Sequence, residues 1–408
     1  MKTYILLAWR NIWRNRRRTL ITISAILFAV VISVFIQSLN RGSHETMIDH
    51  MARYNTGYMQ MQDERYADEP SLDNAFYYDA ELLERAMAAD ARIEIVLPRL
   101  ETFMLAANGD AARGALVLGI EAEKEHRLNN LMDRKTGGRF FGKTEEAVVI
   151  GEGLAARMGL GVGETLALIG QGRFAMSASG LFTIVGTVEH PVREMNDRIV
   201  YMPIETAQYL LSAENHVTAL LFAPERVRQT DAVAQSLRSV FAGEGLRVLT
   251  WPELMPELLD FIRFDMAGAY LMSSILYVVI GFGFFGTVLT MTLERMREFG
   301  VLIAIGMKRI RLAAVVFMET LCISMIGVAG GLAAALLVLG YFHANPIELK
   351  GDAAEAIIDM GWDPVLPVSF SPDLFYTQGA AVFIIAMAVF LYPLIRIARI
   401  NTLEASRR

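Results

Sequence analysis

Four stretches of the chain are almost continuously apolar: residues 20–39, 266–293, 312–342 and about 374–395. A helix needs roughly 20 apolar residues to cross a bilayer, so each stretch predicts a membrane span. From residue 41 to 265 the apolar runs shorten and mix with polar positions, as in a soluble domain. Short β-like runs fall at 93–97, 115–120, 147–150, 165–169, 182–188, 199–202 and 219–222. Helical patterns lie among them at 81–89, 153–158, 204–211 and 227–241. Strands and helices that alternate irregularly predict an α+β domain. Residues 41–54 are expected to continue the first span as helix, and 251–263 to lead helically into the second. The map is a basic N-terminus (1–19), span (20–40), outer domain (41–265), span (266–293), charged connection (294–311), span (312–342), loop (343–373), span (374–395) and tail (396–408).

Composition agrees with this mixture. The 408 residues are 54% hydrophobic and 20% charged, with a mean hydropathy of +0.36. That is too apolar for a soluble protein and too charged for one buried wholly in lipid. A net charge of −6 argues against nucleic acid as a partner. Cys322 is the single cysteine, so an intrachain disulfide is impossible and an exported domain must be stable without one. A length of about 200 residues is enough for a sizeable core.

Charge also predicts orientation. Arg10, Arg14, Arg16, Arg17 and Arg18 crowd the first segment beside Trp9 and Trp13, a combination suited to lipid headgroups. The apolar run after them is longer than that of a cleaved signal and no small-x-small site follows, so a retained anchor is expected. Further basic groups cluster between the second and third spans and in the tail, at Arg396, Arg399, Arg407 and Arg408. The 343–373 loop instead carries Glu348, Asp352, Glu355, Asp359, Asp363 and Asp373 against Lys350. The positive-inside rule then puts both termini and the connection in the cytoplasm, and the soluble domain and acidic loop outside.

The connection, MTLERMREFGVLIAIGMKRIR (291–311), carries the candidate chemistry. Glu294 and Glu298 are four apart and share a helix face near Arg295 and Arg297. Phe299, Leu302, Ile303 and Ile305 form an adjacent apolar stripe. Gly306 is a plausible helix stop, followed by Lys308, Arg309 and Arg311. The pattern predicts a short amphipathic helix across the cytoplasmic mouth of two spans, able to meet a soluble partner. A basic turn that only sets topology fits the periodicity equally well. In the third span, Gly327 and Gly331 form a small-xxx-small pair for close helix packing. Glu319 lies about two turns into the same span. Its nearness to Lys308, Arg309 and Arg311 favours an interfacial ion pair over a proton relay.

Other motifs fail on context. GGRFFGKT (137–144) fits a phosphate-binding loop, but no strand precedes it and a β-like run follows where a helix is required. Gly281, Gly283 and Gly286 fit G-x-G-x-x-G yet lie mid-span, where helix packing explains them better. The six histidines show no metal-ligand spacing. There is no G-x-S-x-G elbow, and no catalytic constellation points to an enzyme.

Together these residues resemble a family. ERMREFGVLIAIGMKRIRLAAVVFMET resembles the junction of spans two and three in FtsX-like/MacB-type ABC permeases, with Glu294, Glu298, Gly300, Gly306 and Glu319 at the family's positions. VVIGEGLAARMGLGVGETLAL (148–168) and FTIVGTVEHPVREMNDRIVYMPIETAQYLL (182–211) resemble its extracytoplasmic domain, and AWRNIWRNRRRTLITISAIL its start. VLTWPELMPELLDFI (248–262) is most similar to the lipoprotein-releasing LolC/LolE branch; Asn401 stands where such permeases often carry proline. The resemblance implies an α-helical inner-membrane protein with four transmembrane helices and a MacB-like periplasmic core domain between the first two. It implies a dimer with an identical or paralogous permease on two copies of a separate ATPase, which binds the ATP, so this subunit needs no cofactor or metal of its own. It makes Glu294, Arg295, Arg297, Glu298, Phe299, Gly300, Leu302, Ile303 and Gly306 an ATPase-coupling helix, in which Phe299, Leu302 and Ile303 seat in the ATPase. Motion relayed outward would release a lipoprotein or other amphiphilic substrate from membrane lipid. The same resemblance also admits an FtsX-like regulator of a cell-wall hydrolase or a MacB-like efflux subunit.

Overall fold

The computed structural model describes residues 9–10, 13–14, 16–109, 111–359 and 364–398. Asp363 and the tail beyond residue 398, with Arg399, Asn401, Arg407 and Arg408, lie outside the described residues. Two compact units emerge: a helical unit of residues 1–45, 261–348 and 365–408, and a unit of 46–260 with 349–364. Residues 349–364, in the middle of the acidic loop, group with the second unit.

Among the described residues four helices are long and apolar enough to cross a membrane. The first runs Arg16–Met51 and passes into a π-helical turn, Ala52–Thr56, that Gly57 ends with φ +73°. The second, Pro256–Ala304, is 49 residues long. The expected helical lead from 251 is broken at Met255, because the residue before a proline is pushed out of the α conformation. Pro256 then starts the helix at a position where a missing N–H costs nothing. The third helix is Arg309–Ala344. The fourth, Pro372–Val389, kinks at Phe390 and resumes as Leu391–Ala398. Pro393 explains the kink, since it cannot donate to the Val389 carbonyl.

The second helix corrects the sequence map. Residues 294–305 were expected as a separate short helix after a span ending at 293, but the helix passes through that boundary unbroken to Ala304. The sequence there offers no proline and only a lone glycine, Gly300, while Leu, Glu, Arg and Met sustain a helix well.

In the helical unit the first helix is the most enclosed of the four and the second the least. Ile26, Val30 and Val34 are fully buried, in one apolar cluster with Phe284 and Val288 of the second helix and Ile323 of the third. The third helix approaches closely because of its glycines. A Cβ on Gly327 would lie 2.7 Å from Ile26 Cβ, and one on Gly331 2.7 Å from Val30 Cβ. Polar side chains add interhelical bonds. Ser33 Oγ donates to Gln378 Oε1 at 2.5 Å, the Tyr277 hydroxyl donates to the same oxygen, and Gln37 Nε2 donates to Ser273 Oγ at 2.6 Å. Among the described residues a Cβ on Gly283 or Gly286 would meet nothing within 4 Å, whereas one on Gly281 would lie 3.6 Å from Ile385 Cγ2, so of the three only Gly281 faces another helix.

The second unit is built on a ten-stranded sheet. Its strands are β1 (Met59–Asp63), β3 (Ile93–Asn108), β4 (Ala111–Ile120), β5 (Lys135–Gly138), β6 (Ala147–Gly151), β7 (Thr165–Gln171), β8 (Ser177–Val188), β9 (Ile199–Pro203), β11 (Ala219–Pro224) and β12 (Leu246–Thr250); β2 (Phe76–Tyr77) and β10 (His216–Val217) pair separately. The spatial order is β12-β1-β11-β3-β4-β9-β6-β8-β5, with β7 bridging β3 and β8. Pairing is antiparallel except for β4–β9 and β6–β8. All seven expected strands form. β1 was missed because Met-Gln-Met-Gln-Asp reads as half polar, yet Gln60 and Gln62 are buried and bond each other. β3 runs far past the expected end at 97 and pairs with β4 as far as Asn108, opposite Ala111, after which Gly109 takes φ +56°. The helices Ala80–Ala88, Glu152–Met158, Ile204–Leu210 and Thr230–Val240 form near their expected bounds.

Candidate coupling site

The last three turns of the second helix present two faces. The inward face holds Arg295, Phe299 and Gly300. The Arg295 side chain is 13% exposed, and its Nη1 donates to both oxygens of Glu319 at 2.7 and 2.8 Å. This differs from the expectation that Lys308, Arg309 and Arg311 would neutralise Glu319. Those three lie at or just after the turn, whereas Arg295 and Glu319 are nearly equidistant from Gly306 along antiparallel helices. Two helices folding back at one glycine bring such positions to the same depth, a signal the sequence contained.

Phe299 is 3% exposed and packs with Leu312, Val316 and Ile397, with Ile303 and Met296 at the edge of that cluster. Its ring lies 5.3 Å from the Arg295 guanidinium. Phe299 and, in part, Ile303 therefore serve this chain's own core and are not free to seat in a partner. The stripe read as one apolar face divides, because the helical period carries Phe299 inward and Leu302 outward. On the outward face Val301, Leu302 and Ile305 are 50%, 38% and 80% exposed. Ile310, beyond the turn, is 78% exposed. Gly306 ends the segment with φ +102°, a conformation that favours glycine, and Met307 N–H donates back to the Leu302 carbonyl at 3.0 Å.

The acidic residues are also engaged. Glu298 pairs with Arg14 at 2.5 Å, and Glu294 pairs with Arg18. The match follows from spacing, since two arginines four apart meet two glutamates four apart on facing helices. Arg297 points to solvent. These exposed pairs contribute about 0–1 kcal/mol each and set geometry more than stability.

The segment 137–144 begins on a strand, β5, although no strand was expected before it, and runs on into β6, the β-like run that was expected after it. Gly137 and Gly138 belong to β5 and no helix follows. The Glu145 carboxylate accepts from the Gly142 N–H at 2.9 Å. Bonding by Arg139, with help from that N–H, holds the Glu145 carboxyl well down, to about 2. No group of three or more His, Cys, Asp or Glu residues suited to a metal occurs among the described residues.

Two family models match the chain, the first of them taking in the first long helix as well as most of the soluble unit. Residues 19–240 match the model of the MacB-like periplasmic core domain, and residues 270–402 that of the FtsX-like permease C-terminal domain. The chain is 24% identical over 354 residues to the pyoverdine export ATP-binding/permease protein PvdT of Pseudomonas entomophila (strain L48). That alignment takes in 82% of this chain and 51% of the relative, so the chain spans about half the relative's length. The extracellular domain of the noncanonic ABC-type transporter YknZ from Gram-positive bacteria aligns at 14% identity and TM-score 0.34, over 47% of this chain and 99% of that one. The periplasmic region of MacB from Actinobacillus actinomycetemcomitans aligns at 13% and 0.36, over 52% and 95%. At such scores neither structure adds to the assignment, which rests on the two family models and on four helices of membrane-spanning character: the chain belongs to the FtsX/MacB-type family of ABC transporter permeases, multi-pass inner-membrane proteins with a large periplasmic domain.

Proposed function

We propose that this chain is a permease subunit that takes up the motion of a separate ATPase and uses it to extract a lipid-anchored or amphiphilic substrate from the outer leaflet of the cytoplasmic membrane. The transporter would hold two permeases and two ATPase copies, with both termini and residues 294–311 in the cytoplasm and the soluble unit outside. The distribution of Arg and Lys supports that orientation. The observation that carries the coupling role is the outward ridge of Val301, Leu302 and Ile305 at the turn, backed by a rigid inward face. Apolar anchors that fill a partner's pocket supply most docking energy, and rim charges supply little. The anchors are therefore Leu302 and Ile305, not Phe299. Arg295, Glu294 and Glu298 hold the ridge in place from within the chain.

Substrate entry between the first and second helices has support from an apolar groove of about 230 Å³ lined by Ala25, Phe28, Ala29, Ile32, Leu276, Ile280, Gly283 and Phe284. The family matches do not separate the lipoprotein-releasing branch from others. The PvdT relative, by its name an exporter of pyoverdine, favours a second reading, a MacB-like efflux subunit in which an exported substrate takes the place of a lipoprotein.

The test is a pull-down in detergent, which removes the lipid surface. Leu302→Glu with Ile305→Glu is expected to abolish copurification of the ATPase, and Leu302→Ala to weaken it by about 1–3 kcal/mol, while dimerisation and insertion persist. Full ATPase recovery with the double variant overturns the coupling role. Phe299→Ala, by contrast, is expected to loosen the helical unit itself.

A further inference from the structure

The ten-stranded sheet is incomplete along one side of β3. There β11 pairs with β3 as far as Arg99, opposite Ala219, and β7 begins only at Leu105, opposite Ile169. Residues 100–104 have no strand on that side. β7 turns away at Gly170–Gly172, where a Cβ on Gly172 would collide with the Leu211 carbonyl oxygen at 2.5 Å. The opening is a cavity of about 360 Å³, with Glu101 and Phe103 on β3, Tyr66 and Leu72 from the segment after β1, and Gln171 at the end of β7.

Its chemistry is uneven. Glu101, Phe103 and Leu105 alternate onto one face of β3, acid then aromatic then aliphatic. Among the described residues the Glu101 carboxylate makes no hydrogen bond or ion pair; only its backbone N–H is bonded, to Thr218 Oγ1 at 3.0 Å. Arg99, two residues earlier on that face, is committed to Glu125 and to the Asn55 carbonyl. Burial pushes the Glu101 carboxyl above its ordinary range, and Arg99 draws it only partly back. The Tyr66 phenol beside it is pushed up to about 12, by burial first and by the Glu101 charge second. Asp73, at the rim, is satisfied by the Phe174 N–H. Phe103 is 65% exposed, and the apolar surface continues from it through Leu105, Ile169 and Leu181, which are 44%, 47% and 70% exposed. A partly desolvated carboxylate without a partner stabilises a cation that replaces its lost water. An exposed aromatic ring beside it adds cation–π attraction.

We propose that this cavity is a binding site for a cationic amphiphile, with an ammonium group on Glu101 and an apolar body on Phe103, Leu105 and Ile169. The site lies wholly in the soluble unit and does not depend on the coupling role or on transport. Binding is tested on the full-length protein in nanodiscs by saturation-transfer NMR with 4-phenylbutylamine, against 4-phenylbutanol and 4-phenylbutyrate of the same length. The amine is expected to bind, and the alcohol and the acid to bind at least tenfold more weakly. Glu101→Gln, which keeps size and shape, is expected to lower amine affinity tenfold or more, and Phe103→Ala severalfold. Amide exchange in β3 and β4 reports whether each variant is folded. Equal binding of amine and alcohol, or undiminished amine binding by a folded Glu101→Gln, overturns the proposal. Should Glu101→Gln unfold, Phe103→Ala and the alcohol control still decide it. Failure here would leave ATPase docking untouched, and loss of docking would leave this binding untouched.

Discussion

Among the described residues each unit contains one buried arginine–glutamate pair, and the two pairs are built differently. In the soluble unit Arg99 and Glu125 are 3% and 1% exposed and 2.5 Å apart. Arg99 also donates to the Asn55 carbonyl at 2.6 Å, and Glu125 also accepts from Asn129 at 2.8 Å. In the helical unit Arg295 and Glu319 are 13% and 3% exposed, and both Glu319 oxygens accept from one guanidinium nitrogen. Arg295 has few further neighbours of its own: the Phe299 ring and, at 3.7 Å, Glu298. The first pair is the centre of a network that ties the π-turn after the first helix to β3 and to the helix Ala122–Asn129. The second is a single tie between two helices that already pack. Desolvation makes both costly to leave half-made, but only the first has backbone groups that depend on it.

The largest effect is therefore expected at Arg99–Glu125. Glu125→Ala leaves a buried guanidinium without its counter-charge and should destabilise the soluble unit by about 3–5 kcal/mol. Hydrogen exchange of the full chain would show it as lost protection in β3, β4 and residues 52–58. Exchanging the two charges should not rescue it, since the Asn55 carbonyl needs a donor at position 99. Rescue by that exchange would mean the pair is an isolated tie like the other one.

A second expectation sharpens the same contrast through pH. His190 belongs to the Arg99 network: its Nε2 faces the Tyr54 carbonyl at 3.3 Å and its Nδ1 accepts from the Val192 N–H at 3.1 Å. Burial first, then the charges of Arg134 and Arg99, lower it to about 4, while backbone bonds oppose the shift. Above the ordinary value of 6.5 it is neutral whether folded or unfolded and adds no pH dependence. As pH falls from 6.5 to about 4 the unfolded chain takes up a proton that the folded chain refuses, so stability falls, by about 3 kcal/mol across that window. His190→Gln should flatten that slope while leaving stability above pH 7 changed only by the lost hydrogen bonds. An unchanged slope in exchange-derived stability would mean that His190 is not held neutral.

How much of this was legible in the sequence depends on what kind of order each region uses. The four long helices and the seven central strands were readable because apolar periodicity reflects burial directly. Residues whose burial depends on a partner were not. Phe299 and Leu302 look alike in the apolar stripe, and only packing against Leu312, Val316 and Ile397 distinguishes them. Gln60 and Gln62 look exposed until they bond each other inside β1. Glu101 reads as one acid among many, and only the gap between β11 and β7 gives it a cavity. Gly283 and Gly286 read as packing residues, although among the described residues nothing lies within 4 Å of where their Cβ would be. The pairing of Arg14 and Arg18 with Glu298 and Glu294 was present as matched spacing, but spacing gains meaning only once two helices are known to face each other.

The smallest effect on stability, and the most specific one on function, is expected at Arg295–Glu319. Interhelical polar contacts between membrane helices are worth about 0.6–2 kcal/mol, because the separated helices find other partners. Arg295 is near enough to Glu298 to turn towards it when Glu319 is lost, and the Arg14–Glu298 pair can loosen to allow this. Glu319→Gln should therefore leave folding and ATPase docking nearly intact while releasing the end of the second helix from the third. If the pair makes the two helices one lever, ATP hydrolysis should continue with less substrate moved per ATP. The exchanged variant Arg295→Glu with Glu319→Arg should recover the ratio, since neither charge serves a backbone group as Arg99 does. Reconstituted transporter, scored as substrate released per ATP hydrolysed, measures this independently of expression level. A ratio unchanged in Glu319→Gln would reduce the pair to a device for burying Arg295. A ratio that falls and is not recovered by the exchange would show that the helical unit's pair, like that of the soluble unit, depends on where each charge sits and not only on their being opposite.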